Sequence, residues 1–142
     1  MIIDNKFRFG DYITDGDVAF KVEQITIDLY DNIYYTGSDN YILEDDIINR
    51  NGSIIGLLKG AIECGYKYIG REDGYTIVCA KHSLNRIYGG SFEASSCSLN
   101  LENGIEDEPI FDCLVDTADM IEIEDLIKYY KENRTDIKVK FV

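Results

Sequence analysis

Ser53-Ile54-Ile55-Gly56-Leu57-Leu58-Lys59-Gly60-Ala61-Ile62-Glu63-Cys64-Gly65 is the stretch that decides the class of fold. Ser53 is suited to a helix N-cap, because its hydroxyl accepts from a backbone N–H that the first turn leaves unpaired. Ile54, Ile55, Leu57, Leu58, Ala61 and Ile62 follow at helical spacing and form one apolar stripe. Gly65 stands where a helix closes on a left-handed residue. Gly56 and Gly60 each lower helix propensity by about 1 kcal/mol relative to alanine, and their four-residue spacing predicts close approach of the helix to a sheet. A helix over 54–64 among short alternating segments predicts an α+β protein.

Upstream, Lys6–Ile13 alternates apolar with polar before Thr14-Asp15-Gly16-Asp17, a strand and a tight turn. Val18–Ile27 alternates again and reads as one return strand. Tyr30–Thr36 is a third strand, ended by Gly37-Ser38-Asp39, and Tyr41–Leu43 a short fourth. Glu44-Asp45-Asp46-Ile47 reads as one helical turn. Short strands in series predict a small antiparallel barrel or meander.

Downstream, Tyr66–Ile69 and Tyr75–Lys81 form a hairpin turned by Arg71-Glu72-Asp73-Gly74. Residues 82–91 are irregular. Phe92–Leu101 and Ile110–Val115 read as strands around a turn at Asn103-Gly104. Thr117 or Asp119 is expected to cap a helix over 122–133, whose early Glu122, Glu124 and Asp125 and late Lys128 and Lys131 complement the helix dipole. Ile137, Val139 and Phe141 suggest a closing strand. The expectation is one domain over 1–142, mainly antiparallel sheet, with a boundary near 49–53 between a barrel-like sub-lobe (1–50) and an α+β sub-lobe (51–142). A chain of this length buries about 68% of its unfolded surface, enough for a stable core.

Charge is the main functional signal. The chain has 27 acidic and 14 basic residues, a net charge of −13. The imbalance is segregated. Between Arg86 and Lys128 there is no lysine or arginine, but eleven acids: Glu93, Glu102, Glu106, Asp107, Glu108, Asp112, Asp116, Asp119, Glu122, Glu124 and Asp125. A second cation-free window runs from Lys21 to Arg50, with Glu23, Asp28, Asp31, Asp39, Glu44, Asp45 and Asp46. Such a surface repels nucleic acid and anionic lipid and attracts basic protein surfaces. Hydrophobic residues at 45% exclude a mainly disordered tail. No apolar run approaches the ~20 residues of a membrane span, and Met1–Asn5 lacks the long apolar region of a signal peptide. A cytosolic location is expected, and Cys64, Cys79, Cys97 and Cys113, widely spaced, fit buried free thiols.

No motif names a reaction. Cys79 and His82 stand at Cys-x-x-His spacing and, with Cys97 and Cys113, supply the donor types of a Cys3His zinc site. The simpler reading puts Cys79 in a strand core and His82 at its end, and no metal is expected. A nucleophile needs a base beside it. His82 is the single histidine, and neither a Gly-x-Ser-x-Gly elbow nor a papain-like cysteine context is present. Pairs such as Asp45–Asp46 and Asp107–Glu108 carry little information in a chain this acidic. The chain therefore reads as a non-enzyme without a cofactor. Lys81-His82-Ser83-Leu84-Asn85-Arg86-Ile87-Tyr88-Gly89-Gly90-Ser91 concentrates cations, donors and glycines. It lacks the Gly-Lys-Ser/Thr ending of a P-loop, but Lys81, His82, Arg86 and the amides around Gly89 and Gly90 form a candidate phosphate cradle. Tyr66, Tyr68, Tyr75 and Tyr88 are candidate stacking partners for a base.

Two local resemblances follow. Lys6-Phe7-Arg8-Phe9-Gly10-Asp11-Tyr12-Ile13, with the strands to Ile48, resembles the opening of small SH3-like barrel modules common in phage and mobile-element proteins. Ala61-Ile62-Glu63-Cys64-Gly65-Tyr66-Lys67-Tyr68-Ile69-Gly70-Arg71-Glu72-Asp73-Gly74 is similar to a helix-hairpin unit of small phage proteins. The resemblances imply a phage or prophage gene, and small acidic phage proteins are often inhibitors of host defence. Neither supplies an active site.

Asp39, Glu44, Asp45 and Asp46 in one window, and Glu102, Glu106, Asp107 and Glu108 in the other, are the candidate partner-binding carboxylates. Carboxylates at phosphate-like spacing compete for a nucleic-acid-binding groove. The expected function is a non-enzymatic phage-type inhibitor that binds a basic surface of a host defence protein, in the manner of an anti-CRISPR or anti-restriction protein, in the host cytoplasm. No direct contact with nucleic acid or membrane is expected. Two other readings stand beside it: a sponge that sequesters a nucleotide immune signal through the 81–91 loop, and a minor structural or assembly protein.

Overall fold

The computed structural model describes residues 5–72, 76–87, 91–93 and 98–140, with side chains as far as Asn133. Ser53 opens the first helix as expected. Its Oγ accepts from the Gly56 N–H at 2.9 Å, and α1 runs Ile54–Glu63. Beyond Cys64, Gly65 takes φ +96°. The Gly65 N–H donates to Ile62 O at 2.9 Å and the Tyr66 N–H to Ala61 O at 3.1 Å, the paired bonds of a Schellman close. Gly56 and Gly60 do allow close approach, but to the loop before the helix and not to a sheet. A Cβ on Gly60 would stand 2.8 Å from Asn49 Cβ, and one on Gly56 would meet Asn51.

At the N-terminal end β1 (Tyr12–Thr14) pairs antiparallel with β2 (Ala19–Lys21). Asp15 Oδ1 shapes the turn between them by accepting from the Asp17 and Val18 N–H groups. Lys6–Asp11 is not strand. Nor is Val18–Ile27 a single strand. The Val22 N–H still donates to Asp11 O at 2.8 Å, but the Glu23 N–H donates to Thr36 O at 2.9 Å. The chain therefore changes sheets between these two residues. β3 (Gln24–Ile27), β4 (Ile33–Gly37) and β5 (Asn40–Leu43) form an antiparallel meander in that order. Ser38 and Asp39, at φ 48° and 64°, make the two-residue link between β4 and β5. Glu44–Asp46 follows as a 3-10 turn. Among the described residues nothing closes these strands into a barrel, so the barrel-like, SH3-like expectation is corrected to a hairpin plus a meander.

The larger sheet comprises β6 (Tyr68–Glu72), β7 (Thr76–Ala80), β8 (Ser98–Leu101) and β9 (Ile121–Glu122), all antiparallel in the order β8-β7-β6-β9. The β6–β7 hairpin matches expectation; Asp73, Gly74 and Tyr75 lie outside the described residues. Phe92 makes only an isolated bridge with Arg86, and Cys97 is outside the described residues. Ile110–Val115 is not a strand. Ile105–Asp107 and Pro109–Phe111 are 3-10 turns, favoured by Pro109, which has no N–H for a ladder, and by the Arg71 guanidinium described below.

The second helix, α2, runs Ile123–Lys140 directly out of β9. Neither Thr117 nor Asp119 caps it, and Lys128 and Lys131 lie mid-helix. The closing strand expected at Ile137 and Val139 is helix instead: once a helix is nucleated, adding residues is easy, and three alternating residues cannot compete. Phe141 lies outside the described residues.

The protein is thus α+β and mainly antiparallel, with two helices and nine strands among the described residues. One core packs α1, α2 and the 105–114 turns against the larger sheet; its members include Leu57, Leu58, Ile69, Leu99, Phe111 and Leu126. Val78, Ala80, Leu84, Phe92 and Met120 cover that sheet's other face. Phe7, Ile13, Phe20, Val22, Tyr35 and Ile42 form a separate core under the meander. β1 serves both: Tyr12 belongs to the first core and Ile13 to the second. Buried Asn49 takes a strand's place beside β1. Its side chain donates to Tyr12 O at 2.8 Å and accepts from the Thr14 N–H at 3.0 Å. Among the described residues no helix is long and apolar enough to cross a membrane.

Candidate functional site

The meander has one covered face and one open face. Ile25, Ile33, Tyr35 and Ile42 point to the core. Strand alternation then turns Gln24, Thr26, Tyr34, Thr36 and Tyr41 outward. Tyr34 and Tyr41 meet edge-to-face with centroids 6.0 Å apart. At one end, the turn between β3 and β4 is organised by Asp28. Its Oδ1 accepts from the Tyr30 N–H at 2.8 Å and the Asn32 N–H at 2.9 Å, and its Oδ2 accepts from Asn32 Nδ2 and Tyr34 Oη. These bonds hold the Asp28 carboxyl below the usual aspartate range, led by that from the Asn32 side chain. The turn leaves Leu29 97% and Tyr30 86% exposed. Tyr34 pairs with Leu43, so Glu44–Asp46 leave the sheet at this same end.

The candidate carboxylates divide into two kinds. Glu44 and Glu108 are tied to core tyrosines. Glu44 Oε1 accepts from Tyr35 Oη and from the Lys6 N–H, both at 2.7 Å. Tyr12 Oη donates to Glu108. Burial first, and the neighbouring carboxylate second, push the Tyr35 hydroxyl up to about 12 and raise Tyr12 well above the ordinary tyrosine range. Glu106 accepts from the Gly104 N–H at 3.0 Å, and Glu102 weakly from Thr76 Oγ1 at 3.4 Å. Asp39, Asp45, Asp46 and Asp107 are exposed, and among the described residues their side chains have no hydrogen bond or ion pair. These four are the candidate carboxylates available to a partner; Asp31, Glu23, Asp112, Asp116, Asp119, Glu124 and Asp125 are exposed in the same way.

The basic loop is assembled differently from the expected cradle. Arg86 faces inward across the sheet's covering layer. Its Nε donates to Ala118 O at 2.6 Å, and its Nη2 donates to Arg71 O at 2.7 Å and Val115 O at 3.1 Å. The guanidinium also lies 4.2 Å from the Phe92 ring centroid. Arg71 repeats the arrangement one step on, donating to Leu114 O and Phe111 O at 2.9 Å and to Glu106 O at 3.3 Å. Together the two arginines fasten the acidic 105–118 segment to the sheet through its carbonyls. Lys81 and His82 are exposed, with Lys81 Nζ 5.6 Å from the Tyr66 ring centroid. Gly89, Gly90 and Tyr88 lie outside the described residues.

Several clefts among the described residues lie elsewhere. Four shallow ones of about 270, 390, 280 and 330 Å³ are lined respectively from Tyr66 and Glu122, from Cys113 and Tyr129, from Arg50 and Lys59, and from Ile62 and Ile127. None of these four is lined by Lys81, His82 or Arg86. Cys79 is buried in the main core, where desolvation pushes its thiol up to about 12. Cys113, in contrast, is exposed. Among the described residues no group of three or more His, Cys, Asp or Glu is placed to hold a metal.

The exposed Leu29–Tyr30 pair was not legible as a site. Its signal was the Asp28-x-x-x-Asn32 spacing, which marks a side-chain-bonded turn, inside a segment that otherwise reads as strand. Comparison with protein-family models, with curated proteins and with solved structures finds no match for this chain.

Proposed function

We propose that this chain is a non-enzymatic inhibitor of phage type, which binds a basic, nucleic-acid-binding surface of a host defence protein in the host cytoplasm. The observation that carries the reading is the set of exposed carboxylates without partners, Asp39, Asp45, Asp46 and Asp107, inside windows that contain no lysine or arginine. Carboxylates without an ion-pair partner add to the negative field of a chain of net charge −13, and that field steers a basic partner and raises the rate of encounter. The nucleotide-sponge reading is less well supported, because Arg86, its principal cation, is engaged with three backbone carbonyls and a ring. A minor structural or assembly role has no observation of its own.

The test is a DNA-cleavage assay with a panel of purified restriction and CRISPR nucleases. At least one should be inhibited at physiological salt, while the protein itself leaves duplex DNA unbound. Asp45→Lys with Asp46→Lys should slow association with that nuclease, and the difference should shrink as salt rises. Inhibition that is indifferent to these reversals and to salt would refute the electrostatic reading.

A further inference from the structure

The turn between β3 and β4 exposes the two largest unpartnered apolar side chains of the meander. Leu29 and Tyr30 are 97% and 86% exposed, and Ile27 beside them 44%. A loose tip would have to be ordered at the moment of binding, but this one is already fixed. Besides the Asp28 side-chain bonds, the Asp28 N–H donates to Asn32 O at 3.0 Å and the Asp31 N–H to Asp28 O at 3.2 Å. Pre-ordered aromatic and aliphatic side chains bind at low entropic cost. Acidic side chains outnumber cations around the turn, with Lys6, whose N–H donates to Glu44, at the same end. Asp31 lies within the turn, Asp45 and Asp46 leave the sheet at the same end, and no cation occurs between Lys21 and Arg50.

We infer that this turn is a docking anchor: Leu29 and Tyr30 insert into an apolar pocket of a partner protein whose rim carries lysine or arginine, and Asp31, Asp45 and Asp46 face that rim. The inference rests on the inhibitor reading and adds to it the side chains that hold the complex together. Interfaces concentrate their affinity in a few buried aromatic or aliphatic anchors, with charges around them acting on encounter. Two other occupants fit the apolar pair less well. A second copy brings the same negative charges to the same place, and an anionic lipid surface is repelled.

The chain has no tryptophan, so Tyr30→Trp creates a single reporter at the anchor. The inhibited nuclease from the cleavage panel is the probe. On its addition, the indole emission of the Tyr30→Trp variant should shift to the blue. Leu29→Ala and Tyr30→Ala should each raise the dissociation constant about tenfold or more, through a faster off-rate that barely depends on salt. Asp45→Asn with Asp46→Asn should act chiefly on the on-rate. Circular dichroism checks that each variant is folded, and both anchor residues are exposed enough for that to hold. If the aspartate variants weaken inhibition while the anchor variants do not, and the indole emission stays unchanged, the anchor is wrong and the inhibitor reading stands. If no nuclease is inhibited, both fall. Binding to phosphatidylcholine vesicles, or self-association in sedimentation, that is lost on Leu29→Ala would also overturn the inference by naming a different occupant.

Discussion

The two antiparallel sheets of this protein are built for opposite purposes. The β8-β7-β6-β9 sheet is covered on both faces, by helices and 3-10 turns on one side and by the Leu84–Phe92–Met120 layer on the other. Arg71 of β6 and Arg86 of the loop after β7 are directed at carbonyls within the fold. The β3-β4-β5 meander is covered on one face only, contains no cation, and ends in an exposed Leu-Tyr turn. These two arginines fasten an acidic segment from behind. The second sheet has no such cation in its own strands or turns. One sheet supplies stability, and the other supplies surface.

The contrast between the two sheets rests most heavily on Arg71. Arg71→Ala takes the guanidinium donor from the carbonyls of Glu106, Phe111 and Leu114, of which Phe111 O keeps the Leu114 N–H, and should cost about 3 kcal/mol of stability in urea unfolding. A loss below about 1 kcal/mol would mean that the 105–114 turns hold without it. Arg86→Ala should follow at about 2 kcal/mol, from its carbonyl bonds and the Phe92 contact. Were Arg86 a ligand residue instead, its removal would leave the unfolding midpoint in place.

In the meander, Tyr35→Phe should cost about 1 kcal/mol, because the Phe7 N–H, which donates to Tyr35 Oη at 3.1 Å, loses its acceptor. The same hydroxyl makes a pH prediction. Its pKa is raised on folding, so the neutral form is favoured in the folded state. That contribution is whole below the ordinary value of 10.0 and is lost as pH rises through about 12. Wild type should therefore lose stability faster than Tyr35→Phe across that alkaline window, as followed by chemical unfolding at each pH. The smallest effect is expected at the surface carboxylates. Asp45→Asn with Asp46→Asn should change stability by no more than about 0.5 kcal/mol in either direction. A large loss would show that these side chains are structural, and would narrow the contrast between the sheets.

What sequence made legible was local. Ser53 and Gly65 bracket α1 because both caps are built from residues within a few positions of each other. Gly37-Ser38-Asp39 fixes the link from β4 to β5 for the same reason. What was hidden depends on distant partners. Val22 and Glu23 are ordinary strand residues in sequence, and only their bonds to Asp11 and Thr36 divide the run between two sheets. Ile110–Val115 looks extended until Arg71, far back in the chain, takes its carbonyls. Arg86 reads as an exposed cation for lack of any local sign that Ala118, Val115 and Arg71 surround it. The acidic windows were visible throughout, but which carboxylates are tied to tyrosines and which are available was not.

The placement of β1 has a consequence for how the chain comes apart. Tyr12 and Ile13 are adjacent in sequence yet belong to different cores, and Asn49 fastens the same three-residue strand from the side. Neither core can be complete while the other is open. Asn49, at the start of the 49–53 stretch, is thereby bonded to the strand that both cores share. Unfolding should accordingly appear as one cooperative transition, with signals from the meander tyrosines and from helix content coinciding. A cut between Asn49 and Ser53 should release no fragment that keeps its own structure.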